Sequence, residues 1–279
     1  MISRNRIQLA SIIYLLLAIS TTVNAEQWYL PRPTNVLKKG SAEFGSRVSF
    51  SFDRNGLEFN RLAQLGLSLR VNPVNRFEFY VEAPYSYIEQ ERVKFPSYIY
   101  SESQEGWGDI YTQFSFDIAG RQDWKVIFHT DASFPTGKNP YVHSRSLGSG
   151  FYSVAPGFTF LKVVDPAVMY LYLGRQWTFP EHFTNYGKIQ PGGDLRFRVG
   201  SSIMLNPRVK INLFTVGNII GHIRLNGVQI AGSDQDVLRF GGGLSWNVSD
   251  SFRVDWNAVF GATDNADDAL LSLEFTQKF

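Results

Sequence analysis

Alternation of apolar and polar residues is the dominant pattern along this chain. From Leu271 to Phe279 the apolar side chains share one parity, broken only by Gln277, and polar side chains take the other. The stretch 108–118 alternates in the same way. Because successive side chains of a β-strand point to opposite faces, this period predicts strands with one apolar and one polar face.

The same pattern predicts about twelve strands over the whole chain. The third strand, for example, sets Phe77, Phe79 and Val81 against Glu78 and Glu82. The polar stretch 89–106 that follows it is predicted to be a long loop. The predicted strands lie near 47–53, 61–71, 77–82, 108–118, 124–133, 151–163, 167–178, 194–205, 208–220, 237–248, 252–261 and 269–279.

The connections between these strands alternate in length. Short turns such as 72–75 and 165–166 follow the even strands, and longer segments follow most odd strands. A soluble sandwich also alternates within its strands, but it has no need for alternating short and long connections. The predicted fold class is therefore all-β: a transmembrane antiparallel up-and-down β-barrel of about 12 strands.

Outward-facing aromatic residues near the short turns support a membrane barrel, because barrels carry aromatic girdles at the interfaces. They are Phe77, Trp124, Trp246, Phe252 and Phe279. The closing strand, which ends on Phe279, resembles the one by which assembly machinery recognises bacterial outer-membrane barrels. Two cations break the apolar face. Lys162 adjoins a turn, while Arg175 either reaches lipopolysaccharide phosphates or turns inward through a bulge at Gly174.

The N-terminus predicts export. Residues 1–25 have a basic start, an apolar run over 9–19 and the small-x-Ala ending Val23-Asn24-Ala25, which together indicate a cleaved signal peptide. Residues 26–45 are predicted to be a periplasmic segment and 46–279 the barrel. No apolar run of the mature chain reaches the length of a transmembrane helix. The expected location is the bacterial outer membrane, in contact with lipid and lipopolysaccharide, as a monomer.

Composition excludes several other classes of function. A formal net charge of +2 gives no reason to expect nucleic-acid binding. The chain has no cysteine, no Cys/His metal spacing and no glycine-rich phosphate loop, so no cofactor or metal is expected. Asp264, Asn265, Asp267 and Asp268 could bind a hard cation, although a solvated acidic loop is the favoured interpretation.

Many charged side chains fall on the inward parity of the predicted strands. They have two open interpretations: an ion-pair lattice that satisfies a polar wall, or a charged constriction that selects permeants. The candidate pore-lining residues are Glu78, Glu82, His129, Asp131, Asp194, Arg196, Arg198, Lys210, Arg239, Arg253, Asp255 and Glu274.

His129, Asp131 and Ser133 lie on one face of one strand and resemble a hydrolytic set. Alternate residues of a strand are about 6.5 Å apart, too far for the hydrogen bonds of a catalytic triad. No enzymatic activity is therefore expected. The alternative that stays open is an outer-membrane lipid-modifying hydrolase.

A series of short segments resembles the bacterial outer-membrane family named after the meta-pathway of phenol degradation, often labelled a transporter. The segments are 36–40, 75–78, 82–85, 106–110, 134–137 and 147–150. Trp107 stands where the family usually has Leu. The motif residues Gly106, Gly108, Asp109, Pro135 and Gly137 suit strand ends at the barrel rim.

This resemblance implies an outer-membrane barrel that passes small, apolar or aromatic solutes. The expected function is therefore a channel or transporter that works by diffusion through the lumen. A closed barrel with a structural or adhesive role is the remaining alternative.

Overall fold

The computed structural model describes residues 37–55, 58–94, 98–141 and 146–279. The predicted signal peptide, and the predicted periplasmic segment up to residue 36, lie outside these ranges. Within them, no helix is long and apolar enough to cross a bilayer. The regular structure described there is β-strand.

Seventeen strands are defined within the described ranges. Their bounds are β1 Ala42–Asn55, β2 Glu58–Val74, β3 Phe77–Lys94, β4 Tyr98–Trp107, β5 Ile110–Gly120, β6 Trp124–Phe134, β7 Ser153–Val164, β8 Ala167–Thr178, β9 Glu181–Phe183, β10 Gly187–Gln190, β11 Asp194–Asn206, β12 Val209–Ile220, β13 Arg224–Leu225, β14 Val228–Gln229, β15 Gln235–Asn247, β16 Phe252–Gly261 and β17 Ala269–Lys278.

The large sheet closes on itself. Strand β1 pairs with β17 and with β2, β2 pairs with β3, and every neighbouring pair is antiparallel. β3 pairs with β5 near its start and with β4 near its end, so β4 and β5 together form one pass of the chain. The result is a closed 12-stranded up-and-down barrel, which confirms the predicted fold class.

The two ends of the barrel differ. We call the end that carries the short connections and the described chain termini the turn end; its connections are 75–76, 121–123, 165–166, 207–208 and 248–251. We call the opposite end, with the connections 135–152, 179–193, 221–234 and 262–268, the loop end. The alternation of short and long connections is therefore present as predicted.

The polar stretch 89–106 is not the loop that the sequence predicted. β3 continues to Lys94, and β4 returns from Tyr98 in an unbroken antiparallel register with it. Polar residues occupy both parities of this hairpin, although one face of β3 is buried there, with Gln90 1% exposed and Ile88 packed against Leu62 and Leu147. The alternation of apolar and polar residues that predicts the other strands is therefore absent from β4.

The outer face of the barrel is apolar. The side chains exposed on it are mainly Leu, Val and Phe, with aromatic residues near both ends. Trp246 and Phe279 lie at the turn end, and Trp107 and Trp177 lie at the loop end. A closed barrel satisfies all its backbone hydrogen bonds internally, so such a face is compatible with the hydrocarbon of a bilayer.

The two cations that break the apolar face lie at its margins. Lys162 forms an ion pair with Asp123 in a turn, and this contact lowers the pKa of the Asp123 carboxyl. Arg175 is exposed, in register with the outward Leu195, and its guanidinium lies 5.6 Å from the Trp177 ring. Of the two placements left open for Arg175, the outward one is therefore correct.

The loop end carries a small second sheet in the order β14-β13-β10-β9. It lies in the segments 179–193 and 221–234, which the sequence predicted as plain loops. Tyr141, Phe151, Phe183, Ile189 and Ile223 form an apolar cluster with it. The rings of Tyr141 and Phe183 stack with centroids 4.4 Å apart. This cluster forms part of the cover of the lumen at the loop end.

Candidate functional site: the charged lumen

A buried arginine links three strands across the lumen wall. Arg47 on β1 donates to Glu82 on β3 at 3.2 Å and to Glu274 on β17 at 2.8 Å. Arg47 is 5% exposed and Glu82 is 1% exposed. Tyr80 also donates its hydroxyl to the Glu82 carboxylate. One guanidinium therefore forms charge-assisted hydrogen bonds to both carboxylates, since buried charges require such partners.

A second arginine forms a similar network closer to the turn end. Arg70 on β2 contacts Glu78 at 2.7 Å and Glu43 at 3.1 Å. The backbone N–H of Leu37 donates to Glu78 at 2.8 Å, and Asn72 donates to the Leu37 carbonyl at 2.7 Å. The chain just before β1 is therefore fastened to the inner wall of the barrel.

Ion pairs also lie on strands farther from β1. Arg253 contacts Asp255 at 2.6 Å, and Arg196 contacts Asp194 at 2.6 Å. Arg239 approaches Asp267 of the loop end at 3.9 Å. The inward-facing charges of both signs therefore form defined ion pairs. Arg239 contacts the acidic loop 262–268, whereas Arg253 and Asp255 pair with each other.

His129, Asp131 and Ser133 do not form a triad. The Nδ1 atom of His129 lies 2.9 Å from the hydroxyl of Ser115 on the neighbouring strand. The carboxylate of Asp131 accepts a hydrogen bond of 2.6 Å from Gln113. The structure therefore brings together a Ser–His pair that the sequence analysis did not consider, and it gives Asp131 a different role.

The lumen contains two cavities. One, at the loop end, has a volume of about 310 Å³ and is lined by Arg196, Arg239 and the apolar side chains Leu147 and Phe151 among others. The other, at the turn end, has a volume of about 440 Å³. Tyr111 and Asp131 line both cavities. Tyr111, which is in register with Glu82, and Asp131 therefore lie between the two cavities.

A folded-in segment bounds the loop-end cavity. The Asp109 carboxylate accepts hydrogen bonds from the backbone N–H of Gly137 at 3.0 Å and of Ser149 at 2.6 Å. The Ser149 hydroxyl donates to the same carboxylate at 2.7 Å. Leu147, two residues before Ser149, packs against Leu62 and Ile88 across the mouth.

Glycine is required where this segment meets the rim. A Cβ on Gly148 would lie 2.1 Å from an Asp109 carboxylate oxygen, and one on Gly137 would lie 2.9 Å from backbone atoms of Gly108 and Gly148. Pro135 begins the segment directly after β6. The short motifs 106–110, 134–137 and 147–150 are separate in sequence, but the structure joins them through the single side chain of Asp109.

Three charged residues of the lumen wall, Glu43, Arg47 and Arg70, were not predicted from the sequence. Glu43 was assigned to the periplasmic segment because β1 was predicted to begin near Arg47, whereas it begins at Ala42. Arg47 and Arg70 lie on the same parity as the predicted inward residues and could have been found by extending the alternation. The acidic loop residues Asp267 and Asp268 bond to β1, through the Ser51 hydroxyl and the Arg54 N–H.

Residues 58–279 match the family model described as "putative MetA-pathway of phenol degradation". The chain belongs to this family. The match includes the second half of the barrel, whereas the short motifs that first suggested the family all lie within residues 36–150.

Solved structures with the same fold are outer-membrane proteins. An outer-membrane channel from Pseudomonas putida F1 is similar with a TM-score of 0.72 and 11% identity, over 89% of this chain and 100% of that one. The NanC porin gives 0.53 and 8%, over 85% and 100%. The translocator domain of the autotransporter NalP from Neisseria meningitidis gives 0.53 and 9%, over 97% and 98%. At these identities the likeness shows the fold.

Proposed function

We propose that this protein is an outer-membrane channel through which small solutes diffuse along the barrel lumen. The observation that carries the proposal is the pair of cavities in the lumen, each with many polar and charged side chains in its lining and both lined by Tyr111 and Asp131. A barrel of twelve strands is wider than eight-stranded barrels, whose interior side chains fill, and narrower than the open sixteen-stranded porins. A narrow, charged path suits a selective channel rather than a general pore.

The inward-facing charges are proposed to line this path. The pairs on Arg47, Arg70 and Arg253 support the lattice interpretation, because each arginine already contacts carboxylates. The apolar surface of the loop-end cavity, with Leu147 and Phe151, supports permeants that have an apolar or aromatic body. That the similar Pseudomonas protein is an outer-membrane channel is consistent with this proposal.

The cellular setting forms part of the same proposal. Residues 1–25 would direct export from a Gram-negative cytoplasm and be cleaved, and the closing strand β17 would be read by the barrel-assembly machinery. The turn end would then face the periplasm and the loop end the outside. The outward Arg175 near the loop end could contact lipopolysaccharide phosphates. We expect a monomer, because β1 and β17 close the sheet within one chain.

Planar-bilayer recording on refolded, detergent-purified protein tests the channel. We expect discrete conductance steps with the wild-type protein. Folded protein is identified by its faster migration on an unheated gel. If folded protein inserts into the bilayer and shows no conductance, the result would contradict the proposal and favour the closed structural barrel.

A hydrolase is the second candidate function, and the one observation in its favour is the hydrogen bond between Ser115 and His129. A serine hydroxyl within reach of a histidine base meets the first requirement of nucleophilic catalysis. Both side chains face the lumen, so a membrane lipid does not reach them from the outer face. We propose no enzymatic activity. Hydrolysis of a p-nitrophenyl ester by wild-type protein, lost in Ser115→Ala, would overturn this.

A further inference from the structure

The two sides of the turn-end cavity differ in charge. On β1, β2, β3, β16 and β17, the cations Arg47, Arg70 and Arg253 contact carboxylates of the same side. A fourth cation of that side, Lys278, also lines the cavity. The residues that β7, β8, β11, β12 and β15 contribute include two cations, Arg198 and Lys210, and no carboxylate, and the nearest carboxylate of the lining beyond β7 is Asp131 on β6. This second side, which we call the basic wall, is therefore electropositive within the described part of the lumen.

Tyr170 supplies a hydrogen-bond donor on the basic wall. Its side chain is 8% exposed, and its hydroxyl has no hydrogen-bond partner among the described residues. A buried hydroxyl that bonds to nothing is unfavourable, and Tyr170, which belongs to a buried apolar cluster, is among the residues that line the turn-end cavity. Tyr170 is in register with Gly200, two residues from Arg198, with which it interacts electrostatically.

The absence of a side chain at Gly200 fixes where this hydroxyl lies. A Cβ on Gly200 would come within 2.5 Å of the Tyr170 hydroxyl oxygen, so the ring can lie against the wall only because position 200 is glycine. The ring of Tyr172 is placed likewise beside Gly174. The two phenols therefore lie along the wall, beside Arg198, and leave the cavity open in front of them.

We infer that the basic wall is a binding site for the carboxylate of a small organic acid, with Arg198 and Tyr170 as its principal donors. A guanidinium presents paired N–H donors that match a carboxylate, and the phenol supplies a third. Lys210 lies six residues farther along the strand direction, opposite Met204 near the turn end, and attracts the anion as a second charge. The inference rests on the proposed channel function, since it names the class of permeant.

Equilibrium binding of butyrate to the full mature protein in detergent, by isothermal titration, tests the site. Butyramide, which has similar size and no charge, is the matched probe. We expect butyrate to bind and butyramide not to bind measurably. Arg198→Gln should weaken butyrate binding by about tenfold or more, and Tyr170→Phe by severalfold, as expected for hydrogen bonds to a charged group.

Gly200→Ala offers a variant that changes no donor. It should displace the Tyr170 hydroxyl and weaken butyrate binding as Tyr170→Phe does. Lys162→Gln, which removes a cation from the outer face, should leave binding unchanged. Gel mobility shows which variants fold, and Tyr170→Phe, which removes a single buried oxygen, keeps the test available if Arg198→Gln does not fold.

Equal binding of both probes, no binding of butyrate, or unchanged affinity in Arg198→Gln and Tyr170→Phe would each overturn the inference. The result is separable from the channel proposal. Butyrate binding in a protein that carries no current would keep the site and refute the channel. Current without butyrate binding would refute the site alone.

Discussion

At the scale of single residues, the lumen is organised by arginines that each bond to more than one carboxylate. Arg47 contacts Glu82 and Glu274, and Arg70 contacts Glu43 and Glu78. Removing one partner of a buried ion pair leaves the other charged group without compensation, which is far more harmful than losing an exposed pair. Arg47 and Arg70 are therefore the side chains on which the stability of this wall depends most.

The first prediction compares Arg47→Ala with Arg61→Ala. Arg47→Ala should lower the free energy of unfolding by ~3 to 5 kcal/mol, because it leaves two carboxylates in the wall unneutralised. Arg61 contacts Glu89 and Glu91 but is 51% exposed. Its replacement should change stability by about 1 kcal/mol or less. Urea unfolding in phospholipid vesicles, followed by tryptophan fluorescence, measures both; similar values for the two variants would contradict this.

At the scale of elements, strand parity assigns each side chain to lipid or to lumen. Alternation located the twelve passes because nearly every barrel strand meets two different environments. It did not predict the outer part of the hairpin of β3 and β4, where polar residues occupy both parities, and it was not extended to the start of β1, where Glu43 lies on the inner face. The cross-strand partners of each charge could not be predicted, because sequence gives strand order without the register that sets which side chains meet.

The second prediction tests parity on β12. Leu213 faces outward and Asn212 faces the lumen. Leu213→Arg should destabilise the barrel by ~2 to 4 kcal/mol, as a cation does near the bilayer midplane on a lipid-facing strand. Asn212→Arg should be nearly neutral for stability. The same unfolding assay measures the pair, and the reverse order would mean that the faces are exchanged.

The third prediction concerns the segment held by Asp109. Asp109→Ala removes three hydrogen bonds that fasten Gly137 and Ser149 to the rim. The segment should then detach from the mouth, which would increase single-channel conductance and speed trypsin cleavage after Lys138, whose side chain is exposed but whose carbonyl is held by the N–H groups of Leu147 and Gly148. Asp123→Ala removes a carboxylate from an exposed turn and serves as the control. Unchanged conductance and unchanged proteolysis in Asp109→Ala would show that other contacts hold the segment.

At the scale of the whole molecule, the proposed channel requires a closed cylinder with an apolar exterior and a path that connects its two cavities past the buried apolar cluster of the inner face, which includes Ile127 and Val216. The fold and the inward set of charges could be predicted from alternation and connection length. The division of the lumen into two cavities could not, because it depends on which inward side chains pack together and on the segment folded in by Asp109. Those are tertiary contacts between residues far apart in sequence.

Accessibility of a single cysteine at the junction of the cavities tests this account most directly, because the natural chain has no cysteine. Asp131→Cys should react with a charged methanethiosulfonate added to either side of a planar bilayer, and the current should fall. Phe114→Cys, on the lipid-facing parity, should not respond. If the current does not respond to the reagent from either side at position 131, or responds equally at position 114, the result would contradict a path that connects the two cavities.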